Sequence, residues 1–449
     1  MRTLLLALTC LLGCRTWQPL TNVERERVAT FDHYWQELAN AYPLFGQQQV
    51  PWAELRNRYR AAVPFAVRPH EFYHLLTGMF SELGDVHVSF RAPAERWIDA
   101  GVPPTSLLDL DGFRLMPIEG RLHVVGWPAG LAPEPPDGAA SRQRFPELWR
   151  VEGFPVVVSL VANLLQGPPG SPVELQLRWS DGCLTRHVLH RPPAPARRSP
   201  SPLAHLERGA ANWRSIGGTP FTWLEITTLG DELPLADVDD AILGALGRGG
   251  LVLDLRRNLG GRWSVTQKVV ERFLRDPINL VFVEPDASTL GGLITLDVFA
   301  SSTWQPRRPV YDGPLVVLTS SLTASMAEHA ARLLQRHAGG IVIGERTVGA
   351  EAGIVEVRGR DGGELRFGAL RIVDSTGVGL QAEGVVPDIA VRLTLADVEQ
   401  RGPEGAARDW EERLLSAAAK VLRARSPVQA AVGDELAPTV ARESSSDVR

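Results

Sequence analysis

Cysteine is scarce in this chain. Three occur in 449 residues, at Cys10, Cys14 and Cys183, and two of them fall in the opening fourteen. Such a set builds no disulfide framework, and cleavage at Cys14 leaves Cys183 as the only thiol beyond the leader. An H-E-x-x-H helix and any cysteine cluster at metal-ligand spacing are also missing, so no metalloenzyme is expected and no metal or cofactor is implied. His187 and His190 lie three apart in a strand-like stretch, hence on opposite faces, which makes them poor joint ligands. Beyond the leader no apolar run is long enough to span a membrane as a helix. A formal net charge of −5 gives no reason to expect nucleic acid as a partner.

What is present is globular. The apolar fraction is 44%, and 42 Gly and 34 Pro favour many turns over one helical bundle. The length predicts two or three domains. The N-terminus reads MRTLLLALTCLLGCRTWQP. Arg2 supplies a positive start, and Leu4–Leu12 is apolar but too short to span. Leu11-Leu12-Gly13-Cys14 resembles the bacterial lipobox, in which the cysteine is lipidated and becomes the first residue of the mature chain. An ordinary signal peptide, or cleavage at Cys10, is the alternative; the small Gly13 before Cys14 favours lipidation. The expectation is a chain in a bacterial cell envelope, anchored to a membrane by lipid rather than spanning it.

Hydrophobic periodicity divides the rest. Val28, Phe31, Trp35 and Leu38, then Trp52, Leu55, Tyr59 and Val63, then Phe72, Leu75, Leu76, Met79, Phe80 and Leu83 predict three short helices within 22–83. From about 104 to 191 the pattern is of short strands. Leu122–Val125 is one, Val173, Leu175, Leu177 and Trp179 alternate with polar residues, and Ser180-Asp181-Gly182 turns into Leu184–His190. RPPAPARRSPSPL then reads as a linker. From 213 to 393 strands and helices alternate. Phe221–Ile226, Leu251–Leu255, Leu315–Leu318 and Ile341–Ile343 are the strands, and Leu235–Leu246, Val265–Leu274 and Ala324–His337 the helices. Such alternation predicts an α/β layer of mostly parallel strands, with ligands at their carboxyl ends. One helix, Asp409–Arg423, precedes a polar tail expected to be disordered.

Four stretches can carry chemistry. In GPLVVLTSSLTASMAEHAARL (313–333) a strand hands over to a helix through a hydroxyl cluster. Its serines and threonines suit helix capping, and Ser325 suits a nucleophile held at a helix N-terminus. In LVLDLRRNLGGRW (251–263), Gly260 and Gly261 follow a strand, where they suit an ordinary turn or a close backbone approach to a ligand. SELGDVHVSF (81–90) places His87 after a helix, and LQAEGVVPDI (380–389) places Glu383 before a Gly-Val-Val-Pro-Asp run. His329, four residues after Ser325, shares its helix face, but that position in an amphipathic helix packs inward. Glu328 reads as a first-turn carboxylate favoured by the helix dipole.

Taken together, DLRRNLGG, TASMAE, GERTVG (344–349) and EGVVPDI resemble, in order and spacing, the tail-specific and tricorn-like serine proteases, which include the carboxyl-terminal processing proteases. FDHYWQELANAYPLFGQQQVPWAELRNRYR is similar to the opening of the tricorn-like branch, and the resemblance runs from residue 30 to about 393. It implies an α/β fold, a crotonase-like (ClpP/crotonase-type) protease core with an N-terminal helical domain and an inserted, degenerate PDZ-like β domain. LWRVEGFPV (148–156) and GSPVELQLRWSDG (170–182) resemble the later PDZ strands, whereas PAGLAPEPPDGAASRQRFPE lacks the usual Gly-rich pattern. The boundaries expected are a leader over 1–14, a helical region over 22–103 carrying His87, a PDZ-like domain over 104–192, a linker over 193–212, a protease core over 213–395, and a terminal helix and tail over 396–449.

The processing branch carries a lysine base twenty-five residues after its serine; here that position is Ala350. The tricorn-like branch uses a histidine in E-L-G-x-x-H, which Glu82 to His87 matches, with Val86 where that branch can carry an auxiliary serine. The resemblance therefore implies Ser325 as nucleophile, His87 as base and Glu383 ordering the relay or stabilising the imidazolium. It implies an oxyanion hole from the Met326 N–H and an N–H of Gly260 or Gly261, polypeptide as substrate, and no cofactor. The alternatives are a peptide- or ligand-binding member without turnover and another acyl-transfer enzyme on the same core.

Overall fold

The computed structural model describes residues 20–42, 51–85, 87–93, 109–110, 113–119, 121–127, 145–151, 154–156, 170, 172–179, 181–190, 210–216, 219–283, 301–350, 353–374 and 384–426. Cys14, Val86, Glu383 and most of the stretch 128–146 lie outside them.

Three helices come first, α1 (Asn22–Ala41), α2 (Trp52–Ala62) and α3 (Pro69–Ser81). Thr21 caps α1 by accepting the Glu24 N–H while Glu24 reaches back to the Thr21 N–H, which fixes where the helix starts. Val28, Phe31, Tyr34 and Leu38 form its buried face. Trp35, expected inside, is only partly buried and stacks on Trp52 at 6.1 Å.

A short strand, β1 (Ser89–Arg91), follows the His87 turn. The chain then leaves for an antiparallel sheet of β2 (Asp109–Leu110), β3 (Phe113–Ile118), β4 (Arg121–Gly126), β5 (Glu147–Val151), β6 (Phe154–Pro155), β7 (Pro172–Arg178) and β8 (Leu184–His190). The order is β2-β3-β4-β5-β7-β8, with β6 beside β5. Val173, Leu175 and Leu177 are buried on one face of β7, as their alternation requires.

The central sheet takes β9 (Ala211–Ser215), β10 (Phe221–Ile226), β11 (Gly250–Asp254), β14 (Leu315–Thr319), β15 (Ile341–Gly344) and β18 (Ile389–Ala390) in the order β18-β15-β14-β11-β10-β9. All pairs are parallel except β9 with β10. Every residue of β11 and β14 is buried, as continuous apolar runs demand of strands covered on both faces. One face carries α4 (Leu235–Ala245), α5 (Trp263–Val270) and α6 (Met326–His337), which bury Val269, Ala330 and Leu334 with Leu253 and Val317. On the other, α7 (Leu395–Arg425) lays Leu414, Ala418 and Leu422 against Val252, Val316 and Ile343.

A further sheet, absent from the sequence-based expectation, pairs β1-β17-β12-β13 with β16 beside β17; its strands are β12 (Ile278–Val283), β13 (Ser301–Trp304), β16 (Gly353–Arg358) and β17 (Glu364–Asp374). Asp361, in the β16–β17 turn, accepts from Tyr34 Oη at 2.7 Å and Tyr73 Oη at 2.9 Å. Phe90 of β1 packs edge-on against Tyr34 at 5.0 Å. The strand that follows His87 is thus fastened to both the helices and the core.

Three boundaries move. The core begins at Ala211, inside the expected linker 193–212, because β9 pairs with β10. Helix α6 begins at Met326 rather than Ala324, leaving Ser325 at its cap. The terminal helical stretch starts at Leu395, not Asp409: Thr394 and Asp397 cap it, and Gly402 (φ 72) with Pro403 only kinks it. No helix among the described residues is long and apolar enough to cross a membrane.

Candidate active site

The loops after β11 and β14 meet at the carboxyl edge of the central sheet, where open α/β sheets bind ligands. Hydroxyls stitch them together. Thr323 Oγ1 donates to the Leu255 carbonyl at 2.9 Å, Ser320 Oγ to the Arg256 carbonyl, and Thr319 Oγ1 to the Glu345 carbonyl at 2.8 Å. The Ala324 N–H reaches the Asn258 carbonyl at 3.0 Å. Much of the hydroxyl cluster is therefore structural.

Ser325 differs. It sits at φ 54, ψ −128, and shares positive φ among the described non-glycine residues only with Glu119. A capping serine occupies the β region. The conformation of Ser325 costs about 1–3 kcal/mol and persists only where its surroundings enforce it. Gly260 is part of that enforcement. A Cβ on Gly260 would stand 2.7 Å from Ser325 Cβ and 2.9 Å from both the Ala324 carbonyl and the Met326 nitrogen. Its φ of +101 also favours glycine.

The two glycines are not equivalent as donors. The Gly260 N–H already donates to Asn258 Oδ1 at 2.8 Å, and Asn258 is fully buried, with Nδ2 on the Ile226 carbonyl at 3.0 Å. Leu229 donates to the Gly260 carbonyl at 2.9 Å and accepts from the Arg262 N–H at 2.8 Å. In such a parallel bridge the intervening Gly261 N–H points away from Leu229. A Cβ on Gly261 would fall on the Leu229 carbonyl. Gly260 thus shapes the Ser325 turn with its own N–H held by Asn258, whereas the Gly261 N–H is directed away from Leu229.

Glu328, one turn into α6, is 1% exposed. Oε2 accepts the Ser325 N–H at 2.9 Å and the Ala350 N–H at 2.8 Å; Oε1 accepts the Gly349 N–H at 2.6 Å and the Thr347 hydroxyl. Thr347 Oγ1 in turn accepts the Val385 N–H at 2.7 Å. The sequence-based reading of Glu328 as a dipole-favoured carboxylate missed this. It is the anchor that ties the serine to the 347–350 loop, and Ala350 is buried in that loop with no basic group to offer.

His87 comes from the turn between α3 and β1. Its N–H donates to Asp85 Oδ1 at 2.8 Å, and its Nδ1 lies 3.6 Å from the same oxygen. Tyr42 Oη donates to Asp85 Oδ2 at 2.5 Å. Burial pushes the Asp85 carboxyl up, but the hydrogen bonds from His87 and Tyr42 outweigh it and hold the group below the usual carboxylate range. His87 Nε2 is buried without a hydrogen-bond partner among the described residues, so no hydrogen bond joins it to Ser325. His329 is fully buried, its ring 5.3 Å from that of Trp263 and 5.8 Å from that of Trp304, which is the inward packing its helix position predicts. Arg256 pairs with Asp254 at 2.7 Å and lies over Trp223 and Trp410, so it pins α7 to the sheet.

The profile of peptidase family S41 matches residues 224–391, and that of the tricorn protease C1 domain matches residues 23–81. The chain belongs to peptidase family S41. It is a tail-specific, tricorn-like member and a serine-type peptidase, so its substrates are polypeptides. It is 27% identical over 386 residues to the chloroplastic C-terminal processing peptidase of Tetradesmus obliquus, covering 79% of this chain and 75% of that one. Its fold is similar to mature CPAF complexed with lactacystin, with a TM-score of 0.57 at 14% identity over 90% of this S41 chain and 99% of that one. It is also similar to a protein from Parabacteroides merdae described as a peptidase, with a TM-score of 0.53 at 15% identity over 88% and 95% of the two chains.

Proposed function

We infer that this S41 peptidase cleaves polypeptides through an acyl-enzyme on Ser325, with His87 as base and Glu383 ordering the relay or stabilising the imidazolium. The observation that carries the reading is the conformation of Ser325: positive φ at the N-terminus of α6, with Gly260 packed against it. Ser325 Oγ attacks the scissile carbonyl carbon as its proton passes to His87 Nε2. The carbonyl π pair moves to oxygen, and the N–H groups of Met326 and Gly261, with the helix dipole, stabilise that charge. The imidazolium returns its proton to the leaving amine nitrogen as the C–N bond breaks. Water then repeats the sequence on the ester and frees the serine. Ala350 removes the lysine alternative.

The Tetradesmus relative is by name a C-terminal processing peptidase, and polypeptide processing of that kind is the reaction proposed for this chain. The lipobox-like Leu11–Cys14 supports a secreted enzyme held by lipid in a bacterial envelope. A fluorophosphonate probe tests the centre. It should label the native chain at Ser325 and leave Ser325→Ala unlabelled, with casein hydrolysis lost in parallel. A folded native chain that neither labels nor turns over casein removes the proposal.

A further inference from the structure

His87 leaves a chemical question open. To take a proton at Nε2, the imidazole must carry its own proton on Nδ1, and something must keep it there. Resemblance alone points to Glu383 and to an auxiliary serine directly before the histidine, but that neighbour is Val86, which has no hydroxyl.

We propose that Asp85 is the positioning residue of His87, with Tyr42 holding Asp85 in turn, so that Tyr42, Asp85 and His87 form one relay ending at the nitrogen that receives the Ser325 proton. The inference rests on the reading of His87 as the base. Asp85 is 8% exposed, and a carboxylate so deeply buried needs donors on both oxygens. Tyr42, at the end of α1, supplies one at Oδ2 at 2.5 Å. At Oδ1 the His87 N–H bonds at 2.8 Å and Nδ1 stands 3.6 Å away. The first of these is an Asx turn, which needs only one oxygen and no charge. The buried placement, the Tyr42 bond and the facing Nδ1 go beyond a turn. An Nδ1 slightly too far for a hydrogen bond suits a relay that tightens when the imidazole gains charge. The neighbouring Glu82 does not compete, since its carboxylate accepts from Arg58 at 2.7 Å and Tyr59 at 3.0 Å. His87 Nε2, buried and without a hydrogen-bond partner among the described residues, is left for the reaction.

The conservative test is Asp85→Asn in the full chain, because asparagine keeps the Asx-turn acceptor and the volume but removes the charge. Two readouts are needed: turnover of a casein-derived peptide, and the His87 tautomer by imidazole ¹⁵N NMR, assigned with His87→Ala. The native chain should show His87 protonated on Nδ1. Asp85→Asn should shift it toward the Nε2–H form and lower kcat by about 10²–10⁴-fold. Tyr42→Phe should move both readouts the same way by less, and serves if Asp85→Asn does not fold. Unchanged tautomer and near-native turnover in a folded Asp85→Asn, with Ser325→Ala and His87→Ala inactive, overturns the role of Asp85 and leaves the proposed catalytic pair standing. Full activity in His87→Ala overturns both.

Discussion

Glu328 Oε2 accepts the Ala350 N–H at 2.8 Å. The position at which a processing-type relative would present a lysine is here spent on a backbone contact to a buried carboxylate. That carboxylate also receives the Ser325 N–H, so the strained serine and the 347–350 loop share one anchor. Four donors converge on it.

Glu328→Gln should therefore be costly although it keeps the shape. Placed at Oε2, the amide NH₂ meets the Ser325 and Ala350 N–H groups; placed at Oε1, it meets the Gly349 N–H. Whichever way the amide turns, at least one buried donor faces another. We expect a loss of about 1–3 kcal/mol in urea unfolding and weaker fluorophosphonate labelling at Ser325. Native stability together with native labelling would show that the anchor is dispensable.

The two glycines separate shape from donation. Gly260→Ala should push the Ser325 turn, since its Cβ would stand 2.7 Å from Ser325 Cβ. Gly261→Val should collide with the Leu229 carbonyl and displace the proposed oxyanion donor. Loss of such a donor lowers kcat by about 10²–10³. We expect both variants to lose turnover, with Gly261→Val the worse at matched folded fraction. Normal kcat in folded Gly261→Val would exclude that N–H from the oxyanion hole.

Much of this centre is legible in the sequence. Leu251–Leu255 and Leu315–Leu318 are unbroken apolar runs, so the buried parallel strands and their carboxyl ends can be read directly. The sheet holding β1, β12, β16 and β17 cannot be read so easily. Leu365, Phe367 and Ala369 do alternate inward on β17, but β1 has three residues and pairs with a strand some 275 positions away. The loop contacts of Glu328, a first-turn carboxylate as its position predicts, are hidden for a similar reason. Its partners lie nineteen to twenty-two residues further on in a loop, and only the fold brings them back. Asp85 stands two residues before His87 in plain view, yet its value depends on Tyr42, forty-three positions earlier. Helix α7 runs further back than Asp409, through a kink at Gly402 and Pro403, to its cap at Thr394.

Acid should weaken the contribution of Asp85 in a defined window. Its carboxyl is held below the usual range in the folded chain. A group whose pKa is depressed by folding stabilises the native state above its unfolded pKa, about 3.9, and loses that contribution as pH falls through the lower folded value. The stability gap between the native chain and Asp85→Asn should shrink as pH falls below about 4. Unfolding by urea at several pH values measures it. A gap that keeps widening below about 4 contradicts the assignment.

The anchor is tested independently of catalysis. Cys14→Ala should move the protein from the membrane fraction to the soluble extract without changing its turnover of casein. A native protein already soluble, with an N-terminus elsewhere than Cys14, rules out lipidation there.

The base decides the mechanism. Only a neutral imidazole can take the serine proton, so turnover should rise with pH through one ionisation and then level off. A lysine base would keep the rate climbing toward alkaline pH unless strongly depressed, and Ala350 has removed that lysine. His87→Ala and Ser325→Ala should each lose most of the rate. Because residues acting as one unit are not additive, the double variant should be scarcely slower than either. His329 lies on the same helix face as Ser325 but is enclosed by Trp263 and Trp304. His329→Ala should therefore lower stability by about 1–3 kcal/mol through lost packing and leave kcat of the folded fraction near native. Near-normal turnover in His87→Ala, with kcat abolished in folded His329→Ala, would reverse the two assignments and place the base on helix α6.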